Sequence, residues 1–281
     1  MDKLSVTPLG TVSPYPKGNK NCPGFLIEYR GYKVLLDSGE GISRLLNFPN
    51  DLNNLIIIIS HLHKDHYSGL SGIGYASYVY KNLGYLQNKI KVYIPVGDLP
   101  KNKELYHYED GWDGKIKVQN KLQDFEYLID YGDENYFQFL TYNDSLNCNS
   151  NDVINHGDIK ITFCNNPHQL KTYSAKIECN DFIIVYSADT GYKNNRLETF
   201  SKNADLLICE STFLKGQPRS SDNHLYAFEA GKIAKEANVK KLLLTHFWPE
   251  IDKQIYVDEA KEFFENTEAA EEGKKLILRR I

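Results

Sequence analysis

The sequence predicts a layered α/β protein whose functional groups gather at the ends of its strands. Three observations carry that prediction. Apolar runs of strand length recur in both halves of the chain, with stretches of helical spacing among them. Several of these runs end in a residue able to bind a metal: Asp37, His61, His168, Asp189, Glu210 and His246. The densest such end is Ser60-His61-Leu62-His63-Lys64-Asp65-His66, directly after the apolar run Leu55 to Ile59, and it holds three of the chain's 8 histidines.

Taken in order, residues 4–8 read as a short strand. Gly10 to Gly24 is a loop, with Pro14, Pro16 and Pro23 excluding regular structure. Phe25–Tyr29 and Lys33–Asp37 are strands joined by a turn at Arg30-Gly31-Tyr32. A tight turn, Asp37-Ser38-Gly39-Glu40-Gly41, leads to an expected helix with Leu45, Leu46 and Phe48 on its apolar side. The strand 55–59 then delivers the histidine cluster. Tyr75 to Leu86 reads as a helix and Lys91 to Pro95 as a strand. From about 97 to 151 little is regular and tyrosine is frequent; a loop of that length inside a compact domain reads as an insertion, suited to a lid or an oligomer contact.

Regular patterning returns with the alternating strand Asp158–Phe163, which leads to His168. Strands follow near 174–177, at 182–186 before Asp189, and at 204–209 before Glu210. Leu225 to Ala237 has helical spacing, with Asp222 or Asn223 as a candidate N-cap. Lys241–Thr245 is a last strand ending in His246; an amphipathic helix from Val257 to about Phe264 and a basic tail, 274–280, close the chain.

Bulk properties narrow the function. The 281 residues suffice for one large domain, and the whole chain is expected to form one, interrupted by the insertion. A net charge of -4 argues against a protein that grips long nucleic acid by its backbone. The 5 cysteines are scattered, without a C-x-x-C pair, which argues against both a disulfide framework and a cysteine zinc site. No signal-peptide pattern and no membrane-length apolar stretch is present, so a cytoplasmic protein with reduced thiols and no membrane partner is expected.

The chemistry follows from residue type and spacing. In extended backbone His61 and His63 point to one side, and a turn can bring Asp65 and His66 back to them. Neutral imidazole suits zinc, and a carboxylate suits a harder position. Two metal sites can be fed: His61, His63 and His168 for one, Asp65, His66 and His246 for the other, with Asp189 between them. Paired metals of this kind activate a water and clamp a displacement at phosphorus or carbon. His/Asp donors accept zinc, manganese or iron, and two zinc ions are the expected complement. His107 and His156 are assigned no role.

These residues resemble a known family. His61-Leu62-His63-Lys64-Asp65-His66 resembles the H-x-H-x-D-H signature of the metallo-β-lactamase superfamily, and His168, Asp189 and His246 follow in the order of its later ligands. The resemblance, from about Pro8 to Phe247, implies a four-layer αβ/βα sandwich: two mixed sheets flanked by helices. Pro8-Leu9-Gly10-Thr11, Leu36 to Gly41, Ala188-Asp189-Thr190, Glu210-Ser211-Thr212-Phe213 and Asn223-His224 are similar to motifs of the tRNase Z-like phosphodiesterases. That branch implies catalytic roles for three residues. His224, backed by Glu210, would protonate the leaving oxygen, and Asp65 would orient or deprotonate the attacking water.

The chain departs from the tRNA-processing members in one respect. Their tRNA-gripping arm lies between the third histidine motif and the bridging aspartate, and here that interval holds only two strands. The pattern is therefore similar to arm-less cyclic nucleotide phosphodiesterases such as the phage-borne anti-Pycsar enzymes and their bacterial relatives. The resemblance implies hydrolysis of 3′,5′-cyclic nucleotides to linear monophosphates by a homodimer, countering cyclic-nucleotide immune signalling. An RNA or tRNA 3′-end nuclease is the second reading, and a lactone or thioester hydrolase the third.

Overall fold

A computed structural model of the chain describes residues 3–95, 105–109, 112–116, 137–142, 153–193, 196–219 and 221–279. Two seven-stranded sheets dominate it. The first is built from β1 (Lys3–Gly10), β2 (Gly24–Tyr29), β3 (Tyr32–Leu36), β4 (Leu55–Ile58), β5 (Ile90–Pro95), β8 (Phe137–Tyr142) and β16 (Leu276–Arg279). The second is built from β9 (Ile154–His156), β10 (Ile159–Asn166), β11 (Thr172–Cys179), β12 (Phe182–Tyr186), β13 (Leu206–Glu210), β14 (Leu242–Thr245) and β15 (Thr267–Ala269). A hairpin of β6 (Leu105–Glu109) and β7 (Trp112–Ile116) stands apart from both.

Both sheets are mixed, and they pass from antiparallel to parallel pairing at matching places. In the first, β1, β2 and β3 are antiparallel neighbours and β3, β4 and β5 are parallel. In the second, β10, β11 and β12 are antiparallel and β12, β13 and β14 are parallel. The loops leaving β3 and β12 therefore sit where antiparallel pairing gives way to parallel pairing.

The sheets face each other through a core that includes Val6, Phe25, Ile27, Val34, Ile161, Phe163, Ile177 and Ile184. Helices cover both outer faces. Against the first sheet lies α2 (Leu70–Asn82), through Leu70 and Ile73. Against the second lie α3 (Leu197–Phe200), α4 (Ala227–Glu236) and α5 (Lys253–Lys261), through residues such as Phe200, Ile233 and Tyr256. The result is the four-layer αβ/βα sandwich expected from the sequence. Strands with two buried faces explain the nearly continuous apolar runs: all four residues of β4 and of β14 are buried.

Four local expectations need correction. The helix expected around Leu45–Phe48 is two short 3₁₀ turns, Ile42–Arg44 and Asn50–Leu52, because Gly41 at φ 93° and Pro49 interrupt it. The basic tail is partly strand: β16 pairs with the edge of β1, where a row of backbone groups would otherwise be open. The N-cap of α4 is Tyr226, whose N–H donates to Glu229, and neither Asp222 nor Asn223. The closing helix begins at Lys253, one turn before the expected Val257, because the Asp252 carboxylate caps Gln254 N–H. The insertion expected at 97–151 lies mostly outside the described residues; of its described parts, β8 pairs in parallel with β5.

Cys22, Cys164, Cys179 and Cys209 are free and buried. Among the described residues, no helix is long and apolar enough to cross a membrane.

Candidate active site

The strand ends of both sheets converge on one cluster. β4 leads into His61 and His63, and a single helical turn, α1 (Lys64–Tyr67), carries Asp65 and His66. That turn is held against the loop leaving β3: Ser38 N–H donates to His66 O and Gly69 N–H to Ser38 O, both at 2.8 Å. Gly39 is required here, because a Cβ would come within 2.2 Å of Asp65 O. From the second sheet come His168 after β10, Asp189 after β12, Glu210 at the end of β13 and His246 after β14.

Three of these turns are bought with backbone strain. Asp37, Ala188 and His246 have φ of 57°, 50° and 65°, in the left-handed region that a residue with a Cβ enters at a cost of about 1–3 kcal/mol. All three lie just beyond strand ends.

All seven predicted ligands are brought together. Donor atoms of His61, His63, His168 and Asp189 lie within 4.8 Å of one another, as do those of Asp65, His66 and His246. Asp189 reaches both groups with different oxygens. Its Oδ2 lies 3.5 Å from His61 Nε2 and 3.8 Å from His168 Nε2; its Oδ1 lies 3.3 Å from His66 Nε2 and 3.1 Å from His246 Nε2. Asp189 thus stands between the two groups.

The far nitrogen of four imidazoles is anchored, which turns the near nitrogen inward. His66 Nδ1–H donates to Asp37 Oδ2 at 2.7 Å, and His168 Nδ1–H to Asn223 O at 2.8 Å. His61 Nδ1 lies 3.0 Å from Ser60 Oγ, whose O–H donates to Asp37. His246 Nδ1 lies 2.7 Å from Thr212 Oγ1, whose O–H donates to Glu210. Outer partners of this kind fix tautomer and ring direction at metal sites. His63 differs: its Nδ1 is the inward atom, 2.9 Å from His61 Nε2 and 3.3 Å from His168 Nε2.

The donor set fits divalent metal. His66 Nε2, Asp189 Oδ1 and His246 Nε2 are buried and have no hydrogen-bond partner, a costly arrangement unless a cation satisfies them. Burial holds His61 well below the usual imidazole range and His63 at about 4, so both present lone pairs. Burial also pulls His66 down, but Asp189, Asp65 and Asp37 overrule it and raise it well above that range. The carboxylate-rich half of the cluster thus attracts positive charge.

Glu210 and His224 form the second part of the site. His224 Nδ1 lies 3.1 Å from Glu210 Oε1 and 3.9 Å from Asp189 Oδ2. Burial lowers the His224 pKa, yet the charge and hydrogen bond of Glu210, with Asp189, lift it to about 9. Glu210 is itself buried and held by Thr190 N–H at 2.8 Å and Thr212 O–H at 2.7 Å. The His224 ring stacks on His246 at 5.3 Å, so the acid pair touches the ligand cluster directly.

Sequence reasoning missed the supporting layer. Asp37, a metal-competent strand end given no role by the sequence, stands behind His66 and also accepts from Ser60 and from Tyr186 of the opposite sheet at 2.7 Å. Tyr186 carries no sequence signal, since it ends an apolar strand. Thr212 stood within a recognised motif without a role. Ser13, in the proline-rich loop, donates to Asp65 Oδ2 at 2.9 Å. Asp222 accepts from the N–H groups of Tyr192 and Lys193, steadying the loop after Asp189. His156, bonded to Asn54 O at the surface, takes no part in the cluster, as expected; the side chain of His107 lies outside the described residues.

Comparison with known proteins fits this geometry. The family model of the anti-Pycsar protein Apyc1 matches residues 4–270. The chain belongs to that family. Anti-Pycsar family membership is accompanied by wider likeness. The chain is 28% identical to the probable metallo-hydrolase YhfI of Bacillus subtilis, over 86% of each protein. It is also 28% identical to the ribonuclease Z of Protochlamydia amoebophila, over 95% of this chain and 94% of that one. The crystal structure of the metallo-β-lactamase fold protein YhfI superposes with a TM-score of 0.79 at 26% identity, covering 98% of this chain and 100% of that one. This anti-Pycsar family member is therefore a metal-dependent hydrolase of the metallo-β-lactamase superfamily, in its tRNase Z-like branch.

Proposed function

We propose that this protein hydrolyses 3′,5′-cyclic nucleotides to linear nucleoside monophosphates, countering cyclic-nucleotide immune signalling. The observation that carries the reading is the Glu210–His224 pair set against a seven-ligand cluster. An alkoxide leaving phosphorus needs a proton, and the buried carboxylate keeps the imidazole charged to supply it. Membership of the anti-Pycsar family supports the substrate class.

The residues divide the work. His61, His63 and His168 would hold one divalent ion, Asp65, His66 and His246 the other, and Asp189 would join them, zinc being the proposed metal. Bound there, such ions supply Lewis acidity toward the phosphoryl oxygens and a water acidic enough to attack near neutral pH. Asp65, steadied by Ser13, orients that water and takes its proton. As the new oxygen–phosphorus bond forms, one ester bond of the ring breaks, and His224 protonates the departing ribose oxygen. Glu210 keeps the His224 ring in place and charged.

Incubation with cAMP, cGMP, cCMP and cUMP, with bound metal verified, should yield linear monophosphates from at least one. No turnover of any would sink the reading. A second reading, RNA 3′-end cleavage, is favoured by the ribonuclease Z relatives. Against it, only β11 and β12 and short loops fill the interval between His168 and Asp189. Faster cleavage of precursor tRNA than of any cyclic nucleotide would decide for it.

We propose further that the protein acts as a homodimer in the cytoplasm. Exposed Tyr75, Val79 and Leu83 on and beside α2 support self-association, and four free buried cysteines suit a reducing compartment. Light scattering on the purified protein checks the oligomeric state.

A further inference from the structure

A row of aromatic side chains leads away from His224. Phe213 lies edge-on to the His224 ring, with centroids 6.2 Å apart. From Phe213 the row branches, to Trp248 at 5.5 Å and to Tyr226 at 5.9 Å. Tyr226 stacks on Phe228 at 5.5 Å, and Phe228 meets Phe263 at 6.2 Å. All of these rings are partly exposed.

The two branches are finished differently. Along the Tyr226 branch the protein supplies its own cations. The Arg219 guanidinium lies 4.4 Å from the Tyr226 centroid while also gripping Glu229, and Lys232 lies 4.8 Å from Phe228 and 4.9 Å from Phe263. Those faces are already occupied. Among the described residues no cation covers Phe213 or Trp248. Backbone placement keeps the pair beside the chemistry. Phe213 follows Thr212, which bonds both Glu210 and His246, and Trp248 follows buried Phe247, itself next to His246.

In a cyclic nucleotide both ester oxygens belong to one ribose. Whichever bond breaks, the leaving oxygen stays on the nucleoside, so the nucleoside must lie on the side from which His224 donates. Building on the cyclic-nucleotide reading above, we propose that Trp248, braced by Phe213, is the stacking platform for the substrate's nucleobase. It sets nucleotide affinity and takes no part in bond cleavage. A π-face accepts any base, so the platform gives affinity for nucleobases as a class.

Steady-state kinetics of Trp248→Ala and Trp248→Phe test this on two substrates. One is whichever of cAMP, cGMP, cCMP and cUMP the unaltered protein hydrolyses best. The other is 1-O-methylribose 3,5-cyclic phosphate, which keeps the cyclic diester and lacks the base. Trp248→Ala should raise KM for the nucleotide roughly tenfold or more, leave kcat within about twofold, and leave the abasic substrate unaffected; Trp248→Phe should restore most of the loss. Equal changes on both substrates, or none on either, would overturn the platform. A binding measurement separates this from failure of the enzymatic reading. The chain has 2 tryptophans, so Trp112→Phe leaves Trp248 as the sole reporter. Its fluorescence should be quenched by nucleoside 5′-monophosphates and not by ribose 5-phosphate. Quenching without turnover would retain the platform and remove the phosphodiesterase, and no selective quenching would remove the platform.

Discussion

The two sheets contribute to the site in different ways. The first delivers four candidate ligands from one loop after β4, namely His61, His63, Asp65 and His66, with Asp37 after β3 behind them. The second delivers one group from each strand end: His168, Asp189, Glu210 and His246, with His224 reached just before α4. Yet the sheets share a strand plan, passing from antiparallel to parallel pairing at β3 and at β12. The same scaffold thus carries a compact ligand loop on one side and a dispersed set on the other. The dispersed side adds a carboxylate–imidazole pair, Glu210 and His224, whose imidazole is not one of the predicted ligands. On the proposed reading, the first sheet would bind metal and the second would both bind metal and supply the proton.

Removing the one ligand common to both groups should erase that distinction. Asp189→Ala takes an oxygen from each group at once and leaves Asp65 and Asp37 as the carboxylates facing the remaining histidines. Metal content should fall at both sites, and kcat/KM should drop by far more than the roughly 10–100-fold that loss of an outer partner costs. Elemental analysis beside kinetics checks it. Full metal occupancy in the variant would show that Asp189 does not bridge.

The division of labour predicts a different signature for the acid pair. His224→Ala and Glu210→Gln should lower phosphodiester hydrolysis by about 10²–10⁴-fold, the usual worth of a positioned general acid. Metal content should hold. A diester with a p-nitrophenolate leaving group needs little protonation and should recover most of the loss. If the activated and unactivated substrates fall together, His224 serves binding and not proton transfer.

Asp37 tests the first sheet from behind. One carboxylate holds His66 directly, His61 through Ser60, and the opposite sheet through Tyr186. Asp37→Asn should weaken metal affinity about 10–100-fold by chelator competition, while a saturating metal supply restores turnover. Failure of added metal to restore it would mean that Asp37 shapes more than ligand direction.

The contrast between the sheets also explains what could be read in the sequence. The first sheet's ligands are local in the chain, so spacing alone exposed them. The second sheet's ligands became readable because each ends an apolar run, and the family motifs then fixed their order. What stayed hidden depends on long-range closure. Tyr186 is a strand residue until the other sheet brings Asp37 within 2.7 Å. Asp37 reads only as a metal-competent strand end, because a strand-end carboxylate gives no sign of the left-handed turn, φ 57°, from which it backs His66. The Tyr226 cap of α4 was missed because Asp222, the better capping residue by type, is already bonded to the loop after Asp189. Trp248 gave no signal at all, since nothing in its neighbours marks a ring beside an acid.

The smallest expected effects separate the sheets most finely. Each has a hydroxyl behind a ligand: Ser13, from the loop after β1, donates to Asp65, and Thr212, after β13, bonds both His246 and Glu210. Ser13→Ala removes one bond to a carboxylate that is 10% exposed, where water can partly replace it. A loss of about threefold to tenfold in activity follows, from the modest net worth of a single hydrogen bond, with the same ratio on activated and unactivated diesters. Thr212→Val removes the hydroxyl contacts to Glu210, His246 and His224 in a buried place and joins a ligand defect to an acid defect. Its loss should exceed that of Ser13→Ala and shrink on the p-nitrophenyl substrate, because only the acid part is relieved there. If Thr212→Val loses the same factor on both substrates, the hydroxyl supports His246 alone, and the coupling of metal ligand to proton donor in the second sheet does not pass through Thr212.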